Sequence, residues 1–126
     1  MQGTRITVAV ANPGDTSRRW EALFLVDTGA MDCYVPAGRL RDIGIVPVGR
    51  RKRVLPDGSP LSLDAGVAQI EFMGEVVGAT VIFGDEEAEP LLGLTALESV
   101  GIEVDPQNQR LKRLPAVRLK SLREHN

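Results

Sequence analysis

Cysteine is almost missing from this sequence. Cys33 stands alone, so no disulfide can close within the chain, and no second thiol sits at zinc-ligand spacing. A single thiol fits a reducing compartment, and the expected location is cytoplasmic. Histidine is equally scarce: His125, in the tail, is the only one, which removes a histidine-based metal or haem site and leaves Cys33 without a base to activate it. Its plain reading is a small buried hydrophobe. Apolar runs are too short to span a bilayer, and Met1–Arg5 lacks the charged-then-apolar pattern of a signal peptide, so no membrane partner is expected. Neither charge sign dominates: 15 Lys and Arg face 17 Asp and Glu, a net charge of −2. Without a basic field, no nucleic-acid partner is expected.

Glycine and proline are plentiful, 13 and 8 residues, and sustained helical periodicity is absent. That combination predicts an all-β chain of many short strands, with residues 1–126 forming one domain. A strand over 5–11 turns at Asn12-Pro13-Gly14-Asp15 and pairs antiparallel with the segment running to Asp27. Pro36 opens a short helix over 37–43 that Gly44 stops. The basic run Arg50-Arg51-Lys52-Arg53 reads as a solvated strand edge or as a contact for acidic substrates or partners. Asp57-Gly58 is the strongest hairpin signal, and the long strand over 61–72 carries Gly66, where a bend or bulge is expected. The hairpin therefore projects, either as a lid or as an ordinary surface hairpin. A turn at 73–75, a strand over 76–83 and a solvated acidic loop over 84–89 follow. Thr95 and Glu98 are spaced as a capping box for a helix stopped by Gly101. A terminal hairpin over 102–114 precedes a tail, 115–126, that is expected to fray.

The chemistry concentrates in Phe24-Leu25-Val26-Asp27-Thr28-Gly29-Ala30. Three apolar residues in succession read as a strand buried on both faces. A carboxylate at its end is costly to bury, and burial favours its neutral form unless a partner holds the charge. Thr28 adds a hydroxyl, and Gly29 allows backbone or substrate to approach closely. On these residues alone Asp27 could serve as a base, a metal ligand or a structural acceptor.

A second apolar-apolar-glycine element, Leu91-Leu92-Gly93, lies far down the chain and is followed by the short helix, with the Asp57-Gly58 hairpin between the two. In that order the sequence resembles the retropepsin-like aspartic proteases, and it looks closest to their small single-domain cellular and bacterial members. The resemblance covers about residues 6–114. It implies a closed β-barrel or sandwich with a flap hairpin and one short C-terminal helix. It also implies a homodimer acting on polypeptides without metal or cofactor. Such enzymes need two carboxylates about 3 Å apart sharing one proton. This chain holds one Asp-Thr-Gly, so Asp27 of each subunit must meet at a two-fold axis. By the family pattern Thr28 bonds across that axis and the Gly29 N–H reaches the carboxylate. Ala30, Asp32, Asp57, Gly58 and Leu91 are the expected substrate contacts. Asp32 reads equally as a turn cap.

Met31 and Leu94 stand where many viral relatives have an ion-paired Asp and Arg. Ala30 cannot donate to the carboxylate as a Ser there would, so the expected activity optimum is mildly acidic to neutral. A rate profile peaking below about pH 3 would contradict that. The reading from a different class is a catalytically silent dimerisation or peptide-binding module on the same fold. The basic tail, 118–123, also offers a segment for self-processing.

Overall fold

The computed structural model describes residues 3–116 and 119. β1 (Arg5–Asn12) and β2 (Asp15–Asp27) form the expected antiparallel pair, with Val8 opposite Ala22 and Val10 opposite Trp20. β3 (Cys33–Pro36) leads into α1 (Ala37–Asp42), which ends before Gly44 at a left-handed φ of 82°. β4 (Gly49–Val54) and β5 (Pro60–Phe72) form the Asp57-Gly58 hairpin. Met73 and Gly74, both at positive φ, turn the chain into β6 (Glu75–Gly84). β7 (Leu91–Gly93), α2 (Leu94–Ser99), β8 (Ile102–Asp105) and β9 (Arg110–Arg113) complete the order.

The strands run β1-β2-β7-β3-β6-β5-β4 in one sheet, and β8-β9 form a separate ribbon. β5 also pairs with β1 from Ala9–Glu71 to Ala11–Gln69, so the pairing makes a circuit of six strands with β4 outside it. The length of β5 makes this possible. Its outer half pairs with β4, and from Ala65 onward it pairs with β6. Residues 60–64 have β4 as their ladder partner and no pairing to β6, which is why the hairpin extends past the sheet. Inside the circuit Val8, Val10, Phe24, Val35, Ile70 and Val81 are fully buried, with Leu40 of α1 and Leu97 of α2 closing the ends. Each such side chain contributes about 1.5–3 kcal/mol by leaving water.

Several local expectations change. Gly66 makes no bulge, because its register with Val81 is continuous. A Cβ there would lie 3.0 Å from Ile45 and 3.1 Å from the Val46 carbonyl, so glycine serves close packing. Of the run before Asp27, only Phe24 is fully buried; Leu25, Val26 and Asp27 are half-buried and Leu23 is exposed, because one face of β2 points outward in the single chain. Among the described residues there are two short helices, α1 over the segment expected behind Pro36 and the C-terminal α2, where the family resemblance implied one. The capping box does not form: α2 begins at Leu94 behind Gly93, with no side-chain cap. Its first N–H groups are already taken, Leu94 donating to the Ala30 carbonyl and Thr95 to that of Met31.

The acidic loop is not merely solvated, since Glu89 pairs with Arg5 and Glu86 accepts from the Gly38 N–H. Most of the 115–126 tail, the 118–123 segment save Leu119, and His125 lie outside the described residues. Among the described residues no helix is long and apolar enough to cross a membrane.

Candidate active site

β2 and β7 run parallel, with Leu25 beside Leu91, Val26 beside Leu92 and Asp27 beside Gly93. The two apolar-apolar-polar or glycine ends therefore finish together. Beyond Asp27 the chain folds back: the Ala30 N–H donates to the Asp27 carbonyl at 3.1 Å, and the Gly29 N–H donates to Asp27 Oδ1 at 2.9 Å. The returning backbone passes directly over Gly93, where a Cβ would lie 2.4 Å from the Asp32 carbonyl oxygen. Two hydrogen bonds from the start of α2, to Ala30 at 2.8 Å and Met31 at 3.1 Å, fasten the loop in this position. Cys33 Sγ lies under the crossing and accepts the Gly93 N–H at 3.5 Å.

Cys33 is 1% exposed, and burial pushes its thiol from 9.0 up to about 11. The unfolded chain therefore loses this proton at lower pH than the folded one. Stability should fall as pH rises from about 9 to about 11, by roughly 2–3 kcal/mol at most. Urea melts of wild type and Cys33→Ala across that range check this. The variant should lose less stability over the window, and parallel curves for the two proteins would remove the assignment.

Asp27, Gly29, Ala30 and Leu91 line one open cleft of about 480 Å³, together with Met31, Tyr34 and Arg53. Asp27 is the one carboxylate in that lining. Thr28, though adjacent, lies on another groove, of about 260 Å³, beside Leu94, Leu97, Val104 and Leu114. The Asp32 carboxylate is engaged within the chain. It holds Arg53 Nη2 at 3.0 Å and lies 3.9 Å from Arg51 Nε, with the side chain only 14% exposed. Asp57 and Gly58 sit at the hairpin tip, outside the cleft. Asp57 is used within the turn, accepting from the Ser59 hydroxyl and N–H, and these bonds lower its pKa.

Sequence reasoning did not place Tyr34 and Arg53 in the cleft. Arg53 Nε donates to the Tyr34 hydroxyl at 3.0 Å, so both side chains belong to the wall that Asp32 completes. The available signal was the i, i+2 spacing of Arg51 and Arg53, which puts both on one face of β4. The Tyr34 hydrogen bond foremost, with the charge of Asp32, raises the Arg53 pKa, so it remains a cation throughout any working range. Among the described residues no three His, Cys, Asp or Glu side chains group in a way that could hold a metal ion.

No protein-family model matches the sequence, and no curated protein matches it. Solved structures do share the architecture. The EIAV protease complexed with the inhibitor HBY-793 superposes with a TM-score of 0.55 at 15% identity, covering 82% of this chain and 93% of its own. A retropepsin-like aspartic protease from Rickettsia conorii gives 0.53 at 15% identity over 83% and 90%. The Simian Foamy Virus (mac) protease gives 0.51 at 20% identity over 71% and 87%. The chain has the retropepsin-like fold.

Proposed function

We propose that the chain is one half of a homodimeric aspartic endopeptidase. The observation that carries this reading is the Asp27 carboxylate, presented to an open cleft by a loop that Gly93 and α2 hold down and bonded to the Gly29 N–H. A lone carboxylate is insufficient for the chemistry, so the partner's copy of the same loop supplies the second. Support for the pairing face comes from Thr28, which lies on the groove bordered by Leu94, Val104 and Leu114. These side chains and the β8-β9 ribbon would be covered by a second copy, with Thr28 bonding across the axis.

In the dimer one Asp27 carboxylate, ionised, takes a proton from water. The water oxygen attacks the peptide carbonyl carbon, and the other Asp27, neutral, gives its proton to the developing oxyanion. Return of a proton to the amide nitrogen breaks the C–N bond and releases acid and amine. Ala30 and Leu91 would contact the polypeptide, and the hairpin carrying Asp57 and Gly58 would act as the flap. Asp32 would act through Arg53 rather than on the substrate directly.

Cleavage of an unstructured protein, followed as the enzyme is diluted, tests this. Specific activity should fall on dilution in step with the dimer fraction read by analytical ultracentrifugation. Undiminished specific activity in a monomer would reject the shared site. Peptide capture without cleavage at any concentration would instead favour a silent peptide-binding module.

A further inference from the structure

The cleft lining holds one cation, Arg53, and one carboxylate, Asp27, and Arg51, outside that lining, adds a second guanidinium beside Asp32. Arg53 and Arg51 lie on one face of β4 and share a single carboxylate, Asp32. Arg50 does not enter this balance because Asp64 pairs with it separately. Asp32 is nearly covered, whereas the side chains of Arg53 and Arg51 are 32% and 44% exposed. Two guanidiniums around one carboxylate leave one positive charge over, on the side that solvent or a ligand can reach. Arg53 spends its Nε on Tyr34, one Nη on Asp32 and the other on the Lys52 carbonyl. A guanidinium has five N–H groups, so two remain. The rest of the lining is mixed: Ala30, Met31, Leu91 and the body of Tyr34 supply apolar surface, and Gly29 and the Asp27 carboxylate supply polar surface.

Apolar side chains beside a guanidinium suit a substrate side chain with a hydrocarbon stem and an anionic tip. We infer that the Arg53–Arg51 wall selects polypeptides carrying an acidic residue, glutamate above all, at the position that packs beside Tyr34 and Leu91. The inference rests on the reading of the cleft as a peptide site and makes Arg53 a specificity-determining residue. Asp32 and Tyr34 are its positioning residues, because they fix the direction in which the guanidinium points. Charge-assisted hydrogen bonding of this kind discriminates strongly between a carboxylate and its amide.

Fluorescent peptide pools identical except for Glu, Gln or Lys fixed at one position, varied in turn, provide the probe. Binding is read by anisotropy on full-length Asp27→Asn, and hydrolysis on the parent protein in parallel. At one position the Glu pool should bind about tenfold tighter than the Gln pool, with Lys weakest, and the gap should narrow in about 0.5 M salt. In the same background Arg51→Gln, which leaves the bonds of Arg53 in place, should shrink the gap, and Arg53→Glu should invert it towards Lys. Equal binding of Glu and Gln, a preference for Lys, or a gap untouched by Arg51→Gln and Arg53→Glu would overturn the inference. Hydrolysis without charge preference removes this inference and spares the protease reading. A Glu preference in binding without hydrolysis does the reverse.

Discussion

Gly93→Ala should destabilise the protein by about 3 kcal/mol or more, a large share of the roughly 5–15 kcal/mol that holds a domain folded. The cause is steric. Gly93 has an ordinary extended backbone, φ −85° and ψ 168°, so no conformational strain accompanies an alanine there. Its Cβ, however, would sit 2.4 Å from the oxygen and 2.5 Å from the carbon of the Asp32 carbonyl, and 2.8 Å from the Met31 oxygen. These are backbone atoms of the site loop and cannot swing aside as the end of a flexible side chain could. Relief requires lifting the loop, which pulls on the two hydrogen bonds from α2 and on the pairing of Asp27 with Gly93. Gly78→Ala is the control, since nothing lies within 4 Å of its Cβ and its φ is not in the left-handed region. It should change stability by less than about 1 kcal/mol. Urea denaturation of both variants checks the contrast. Equal midpoints would mean that the loop can lift off residue 93 at no cost.

What could be read from the sequence was what nearest neighbours decide. The Asn12–Asp15 and Asp57-Gly58 turns depend on a few adjacent residues, and so do the stops at Gly44 and Gly101. An apolar run ending in Asp27 marked the candidate site in the same way. Its second half, Leu91-Leu92-Gly93, was visible as another apolar run closing on glycine, and only the family resemblance set it beside the first. Nothing in three apolar residues says which distant strand they will lie beside. Thr95 and Glu98 misled because a capping box answers orphan N–H groups, and here the carbonyls of Ala30 and Met31 had already answered them. Burial of Leu25 and Val26 was overestimated because successive apolar residues do not say whether both faces of a strand are covered, and here Leu25 and Val26 are only half-buried. The Arg53–Asp32–Tyr34 wall was illegible for a different reason. Arg53 lies 21 residues from Asp32 and 19 from Tyr34, and only the fold of the hairpin against the site loop brings them together.

On the proposed dimeric protease reading, Asp27→Asn should reduce proteolysis by about a thousandfold or more while leaving the fold and the proposed dimer intact. Asparagine matches the shape of the carboxylate and can still accept from the Gly29 N–H, so the loop keeps its geometry. It can neither take the proton from water nor share one with the opposite subunit. Mixing the variant with wild type sharpens the test, because it asks where the second carboxylate comes from. If subunits exchange freely and both aspartates are needed, an equal mixture at constant total protein retains about one quarter of the activity, the share of dimers that are wild type on both sides. If each subunit worked alone, about half would remain. The variant thus separates a site built from two chains from a complete site in each. A residual activity near one half, or an Asp27→Asn protein that cleaves as fast as wild type, would show that the hydrolytic centre lies elsewhere than at the paired Asp27 loops.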